Sequence, residues 1–157
     1  MSGNKRINTG KESLEVIEHE IAMLLRRADF KRTLDGKKDS LDRSGYILLD
    51  GLMQNGPASF RALSLLLQLD ISTVSRQVAP LENKGFVIRG KDEKDARICT
   101  LSITESGKDA LLAAKHDRKE AYQEILFEWT SQEKDIFAEL LTRLNRKIAD
   151  RKKLEQN

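Results

Sequence analysis

At 157 residues the chain fits one domain, and its Lys+Arg 28 against Asp+Glu 25 give a formal charge of only +3. That balance excludes a uniformly basic surface, so any nucleic-acid footprint has to come from local clustering. The single cysteine, Cys99, excludes an intrachain disulfide framework and a multi-cysteine zinc site.

Met1 to Thr9 is polar and lacks the apolar segment of a signal peptide, and no stretch approaches the ~20 apolar residues of a bilayer span. A cytoplasmic protein with no membrane partner, metal or cofactor is expected. In chain order, Leu14, Ile17, Ile21, Leu24, Leu25 and Ala28 recur at steps of three and four and predict an amphipathic helix over 11–33. Gly36 to Ser40 reads as a polar loop. Asp42 is the expected cap of a second helix carrying Tyr46, Ile47, Leu48, Leu49, Leu52 and Met53, ended by Asn55-Gly56-Pro57. Its apolar residues cover most of the circumference, which places it centrally.

Ser59 caps a third helix with Phe60, Leu63, Leu66 and Leu67; Asp70 caps a fourth, whose buried stripe is Ile71, Val74, Val78 and Leu81. The short spacing from Leu67 to Ile71 is that of a helix-turn-helix. Gly85 is the expected left-handed stop. Phe86–Arg89 and Ile98–Ile103 then flank the loop Gly90–Arg97 as a hairpin. Thr104 caps a long helix with Leu111, Ala114, Ala121, Ile125 and Trp129 along one side. Thr130-Ser131-Gln132-Glu133 is a capping box that opens a last helix with Ile136, Phe137, Leu140, Leu141, Leu144 and Ile148, and the tail from Lys152 to Asn157 is expected to fray. The fold class is therefore mainly α with a small β-hairpin wing. The first and the two last helices carry more apolar stripe than the winged unit can cover, which predicts a partner, most simply a second copy in a homodimer.

The residues left facing outward on the fourth helix are Ser72, Thr73, Ser75, Arg76, Gln77 and Pro80. A helix entering the major groove needs small polar residues at its start, where the backbone comes close, and Ser72, Thr73 and Ser75 meet that need. Arg76 and Gln77 are long enough to reach base edges, arginine suiting guanine and glutamine suiting adenine. The same residues also suit the solvated face of an ordinary helix, and the hairpin that follows decides for double-stranded DNA. In that hairpin Lys91, Lys94 and Arg97 are matched by Asp92, Glu93 and Asp95. A neutral loop is a poor electrostatic glove but suits a wing whose arginine enters the minor groove, with Asp95 bracing Arg97 through a bidentate pair.

Ser72-Thr73-Val74-Ser75-Arg76, Leu81-Glu82-Asn83-Lys84-Gly85-Phe86-Val87, Asp95-Ala96-Arg97 and Leu101-Ser102-Ile103-Thr104-Glu105-Ser106-Gly107 together resemble the MarR (multiple-antibiotic-resistance regulator) family of winged-helix transcription factors, over about residues 12 to 150. The resemblance implies a single domain over 1–157, with a winged helix-turn-helix part at 42–104 and helical dimerisation parts at 11–33 and 105–153. It further implies an obligate homodimer, a recognition helix at 71–84, a wing at 90–97, and a repressor released from a pseudo-palindromic operator by a small aromatic or phenolic effector. The residues that bind such an effector are not assigned. Gln68 stands where the family often has glycine, and a left-handed conformation there costs about 1 kcal/mol. Pro80 lies inside the recognition helix, where a bend rather than a break is expected.

Cys99, on a strand beside apolar residues, is expected to be packed, with a thiol-based redox switch as the alternative. His19 and His116 are expected on solvated faces, and Trp129 as a core or interface anchor. No nucleophile with a base, carboxylate pair or phosphate loop is apparent, so an enzyme is not expected. The alternative from another class is a winged-helix module that binds protein, supported only by the neutral wing.

Overall fold

The computed structural model describes residues 10–27 and 41–155, and within them six helices and three strands. These are α1 (Gly10–Arg26), α2 (Arg43–Asn55), β1 (Ala58–Ser59), α3 (Phe60–Leu67), α4 (Ile71–Asn83), β2 (Val87–Lys91), β3 (Cys99–Ile103), α5 (Glu105–Ile125) and α6 (Ser131–Glu155). No described helix is long and apolar enough to cross a membrane.

Local side chains set most helix starts. Asp42 accepts from the Gly45 amide at 2.7 Å, Ser59 from Ala62 at 3.1 Å, Asp70 from Thr73 at 2.7 Å and Thr104 from Gly107 at 3.0 Å. Each bond satisfies an amide that the first helical turn leaves free. At α6 the capping box is reciprocal: the Thr130 amide donates to Glu133 Oε2 at 2.8 Å and the Glu133 amide to Thr130 Oγ1 at 3.2 Å. Gly56 (φ 77°) and Gly85 (φ 71°) close α2 and α4 in conformations that a Cβ disfavours.

The core lies between residues 41 and 114. Leu48, Leu49 and Leu52 of α2 meet Leu63 of α3, Val74, Val78 and Leu81 of α4, Val87 and Leu101 of the sheet, and Leu111 and Ala114 of α5. Helix α2 is thus central, as its apolar circumference predicts. It is fastened to α5 by Lys115 on Asp50 at 2.6 Å and by the Arg118 guanidinium 4.2 Å over the Tyr46 ring. The sheet is antiparallel, in the order β1-β3-β2, with Val87 opposite Ile103, Arg89 opposite Leu101 and Lys91 opposite Cys99.

Several expectations are corrected. Ile71 opens α4 ahead of the core and is exposed, so the buried stripe is Val74, Val78 and Leu81 alone. Strand β1 was not foreseen; two residues carry no alternation, and it exists only by pairing with Thr100 and Leu101. The hairpin strands run Val87–Lys91 and Cys99–Ile103, so Lys91 stands on a strand rather than in the loop. Helix α5 stops at Ile125, leaving Trp129 in the following turn, where its ring sits edge-on to Phe137 at 5.4 Å and remains partly exposed. The chain end does not fray at Lys152: α6 continues to Glu155, and Lys152 Nζ donates to the Gln68 carbonyl at 2.6 Å. Cys99 is exposed rather than packed, because it begins β3 at the loop end of the hairpin, opposite Lys91 and away from the core. The continuation of the first helix to 33 with Ala28, the loop 36–40, Met1 to Thr9 and the last two residues lie outside the described residues.

Other expectations hold. His19 is exposed, as is His116, which lies 3.3 Å from Glu120. Gln68 is left-handed (φ 52°, ψ 44°), and α4 runs unbroken through Pro80. Helix α6 has no buried residue. The stripes Leu14, Ile17, Ile21, Leu24 and Leu25 on α1, and Ile136, Phe137, Leu140, Leu141, Leu144 and Ile148 on α6, are exposed.

Candidate nucleic-acid interface

Helix α4 is held by its buried stripe, which leaves Ser72, Ser75 and Arg76 exposed and Thr73 and Gln77 half-buried on the other side. The residues singled out on this helix therefore lie on one continuous surface. Their hydrogen bonding begins at the cap. Asp70 accepts from the Ser72 hydroxyl through Oδ1 and from the Thr73 hydroxyl through Oδ2 at 2.9 Å, besides capping the helix. These bonds, Ser72 first, then the Thr73 amide and hydroxyl, pull the Asp70 pKa down to about 2. Arg76 Nη2 in turn donates to Thr73 Oγ1 at 3.1 Å. Arg76 has no carboxylate within ion-pair distance among the described residues, so its charge stays available.

The hairpin is shaped by its own acids, as its neutral composition suggested. Asp92 Oδ1 accepts from the Lys94 amide at 2.8 Å and the Asp95 amide at 3.0 Å, which turns the chain. Asp95 then takes Arg97 in a fork: Nε to Oδ1 at 3.0 Å, Nη2 to Oδ2 at 3.1 Å, and the Arg97 amide to Oδ1 at 3.1 Å. The Arg97 side chain keeps 90% of its exposure, so the pair orients the guanidinium without hiding it. The guanidinium lowers the Asp95 pKa, and the carboxylate raises that of Arg97. Lys91, at the end of β2, and Lys94, within the turn, are exposed.

Two contacts at the base of the wing were missed by sequence reasoning. Glu82, in the last turn of α4, takes Arg89 of β2 in a second fork, Nε to Oε1 at 2.6 Å and Nη2 to Oε2 at 3.0 Å. Glu82 is the main cause of the raised Arg89 pKa, with a smaller share from Cys99. Thr104 Oγ1 donates to the Gly85 carbonyl at 2.7 Å, and the Thr104 amide to the Phe86 carbonyl at 3.0 Å, tying the same turn to α5. No helical or strand period joins residues seven or nineteen apart across a turn, so no pattern announced either contact.

A short helix, a tight turn, a second helix with an exposed polar face and a charge-balanced hairpin that exposes Lys94 and Arg97 make up a winged helix-turn-helix. Comparison with known proteins agrees. Residues 41–99 match the MarR family model. The uncharacterized HTH-type transcriptional regulator YxaD of Bacillus subtilis (strain 168) is 41% identical over 137 residues, which span 87% of this chain and 96% of YxaD. The crystal structure of the transcriptional regulator SlyA superposes with a TM-score of 0.71 at 25% identity, covering 88% of this chain and 97% of that one. A mutant MarR from E. coli, solved in complex with operator DNA, shares the fold with a TM-score of 0.67 at 18% identity, over 83% of this chain and 95% of that one. The chain belongs to the MarR family: it is a DNA-binding, non-enzymatic transcriptional regulator of the helix-turn-helix type.

Proposed function

We propose that the chain is a ligand-responsive repressor that works as a homodimer on a pseudo-palindromic operator, in the cytoplasm where the chromosome lies. Ser72, Thr73, Ser75, Arg76 and Gln77 enter the major groove, and Lys91, Lys94 and Arg97 follow the backbone into the adjacent minor groove. The observation that carries this reading is Arg76. It stands on the exposed face of α4 with no carboxylate within ion-pair distance among the described residues, steadied by the Thr73 hydroxyl. The operator complex of the E. coli relative supports duplex DNA as the ligand of this fold.

The dimer reading rests on the uncovered apolar faces of α1 and α6, which border a groove of about 590 Å³ lined by Ile17, Ile21, Leu24, Phe137, Leu140 and Leu144. A second copy that contributes the same faces covers both, so residues 11–33 and 105–153 serve as dimerisation arms around the winged part at 42–104. Half-sites then lie one helical turn apart, about 34–36 Å. For the effector, a groove of about 440 Å³ between the start of α2 and α4 offers Leu41, Pro80 and Leu81 to an aromatic body and Arg76 and Lys84 to an anion. Exposure of Cys99 supports a thiol switch as a second reading; a Cys99→Ser protein that still releases DNA normally under peroxide excludes it.

The test is fluorescence anisotropy against duplex from upstream of the protein's own gene, with an unrelated duplex and a salt series. Binding tighter by about 10³ or more than to the unrelated duplex supports the regulator reading. Equal, weak binding to both duplexes counts against it, and partner binding that survives charge reversal of Arg76 and Arg97 favours a protein-interaction module.

A further inference from the structure

Arg89 has the composition of a DNA contact and the geometry of something else. It lies on β2 opposite Leu101, on the element that directly follows the reading helix, yet its guanidinium is turned back onto that helix. Its Nε and Nη2 donate to Glu82 at 2.6 and 3.0 Å, and its Cζ lies 5.0 Å over the centre of the Phe60 ring. One side chain thus joins the last turn of α4, the base of the wing and the first residue of α3. An arginine whose charge is cancelled by a fork and whose face covers a ring has little left for a phosphate.

The covalent link between α4 and β2 is Lys84-Gly85-Phe86, whose glycine sits at φ 71° and carries no side chain to restrain it. Thr104 pins the backbone of that turn to α5. It does not connect the helix entering the turn with the strand leaving it. The Glu82–Arg89 fork does, across seven residues of chain. The pair at the wing tip is different in kind: Asp95 and Arg97 are two residues apart and travel together, so they shape the tip without setting its angle.

We propose that Glu82 and Arg89 form a positioning pair that locks the wing against the recognition helix, so that major-groove and minor-groove contacts reach one duplex at the same time. The idea rests on the proposed reading of α4 and the wing as the DNA-contacting parts. Both partners are partly exposed, and an exposed pair adds little to folding stability. Its effect belongs to geometry: a wing free to swing has to be ordered on every binding event, and the gain from its contacts shrinks accordingly.

The experiment compares two duplexes carrying the same operator, one long enough for the minor-groove flank and one trimmed to omit it. Wild-type protein is expected to prefer the long duplex by about tenfold or more. Glu82→Gln, which keeps the shape of the side chain, and Arg89→Met are expected to bring that ratio to within about threefold of one, while affinity for the trimmed duplex holds within about twofold. Arg89→Lys is expected to behave like Arg89→Met, since an ammonium cannot form the fork. Equal losses on both duplexes would show a merely structural role and overturn the proposal. So would a wild-type ratio in Arg89→Lys, because it would show that charge alone suffices. A wild-type protein indifferent to the flank defeats instead the underlying reading of the wing, and is told apart because it needs no mutant.

Discussion

Arg76 and Thr73 lie one turn apart on α4, and the arginine Nη2 donates to the threonine Oγ1 at 3.1 Å. The Thr73 hydroxyl donates to Asp70 Oδ2 at 2.9 Å, so its oxygen is left as an acceptor facing the guanidinium. The carboxylate that caps the helix therefore also orients, through one hydroxyl, the residue proposed to read a base. Orientation before binding reduces the entropy lost on contact. Arg76→Ala is expected to relax base preference, lowering discrimination at one base pair per half-site by about tenfold or more, while binding to unrelated duplex changes little. Thr73→Val keeps the arginine and removes its prop, and a smaller loss of the same kind is expected. Selection against a randomised operator measures both; unchanged preference in Arg76→Ala removes that assignment.

At the wing tip the Asp95–Arg97 fork predicts a different pattern. Arg97→Ala is expected to weaken binding to every duplex and to reduce the salt-dependence slope by about 1, as loss of one backbone contact does. Asp95→Ala leaves the cation but removes three bonds to residue 97. It is expected to weaken binding without flattening the slope, since the charge remains and only its placement is lost. Titrations over a potassium chloride series separate the two; wild-type affinity in Asp95→Ala would reject the bracing role.

Gly107 is small because α5 begins against the turn that ends the recognition helix. A Cβ there would run into the Phe86 carbonyl and come within 2.9 Å of Ile103 Cγ1. Backbone cannot retreat as a flexible side chain can, so Gly107→Ala has to push α5 off the turn that Thr104 holds. A loss of about 1–3 kcal/mol in urea unfolding is expected, as for other overpacked sites. Stability within about 0.5 kcal/mol of wild type, the scatter of surface substitutions, would mean that the start of α5 is free to shift.

These contacts mark the limit of what the chain discloses by pattern. Asp42, Ser59, Asp70, Thr104 and Thr130 were legible as caps because each bonds an amide three residues on, and the Asp95–Arg97 fork because its partners are two apart. Periodicity also found the faces of α1 and α6, though it cannot say what covers them. It misjudged Ile71, which has the right spacing but precedes the core, and carried α5 on to Trp129, where the chain has already turned. Bonds between distant segments, Glu82 with Arg89 and Gln68 with α6, have no sequence signature, because their distance is set by how helices pack.

The depressed pKa of Asp70 makes a prediction about pH. Its carboxyl ionises at about 2 in the folded chain against 3.8 ordinarily, owing first to Ser72 and then to Thr73. A lowered folded-state value means that the ionised cap stabilises the fold fully above the ordinary value, and that this contribution is lost as pH falls from 3.8 to about 2. Asp70→Asn keeps a capping oxygen but cannot ionise. Its stability deficit relative to wild type is therefore expected to be largest at neutral pH and to close across that acid window. Paired unfolding curves at several pH values test this, and a deficit independent of pH would assign the cap to shape rather than charge.

Gln68 poses the sharpest question of compensation. It is the one non-glycine residue with positive φ among those described, a conformation costing about 1 kcal/mol. Its side chain donates to the Ala149 carbonyl at 3.0 Å and its own carbonyl accepts from Lys152 at 2.6 Å, so the strained joint of the helix-turn-helix is also where the end of α6 fastens to it. Gln68→Gly removes the strain and one bond, each about 1 kcal/mol, and is expected to leave stability nearly unchanged. Gln68→Ala keeps the strain and still loses the bond, so it should fall about 1 kcal/mol below Gln68→Gly. If the glycine variant instead loses about 2 kcal/mol or more, the side chain's hold on α6 outweighs an ordinary hydrogen bond. Glutamine at this position would then serve to bind the C-terminal helix to the DNA-reading unit, a task that glycine cannot perform.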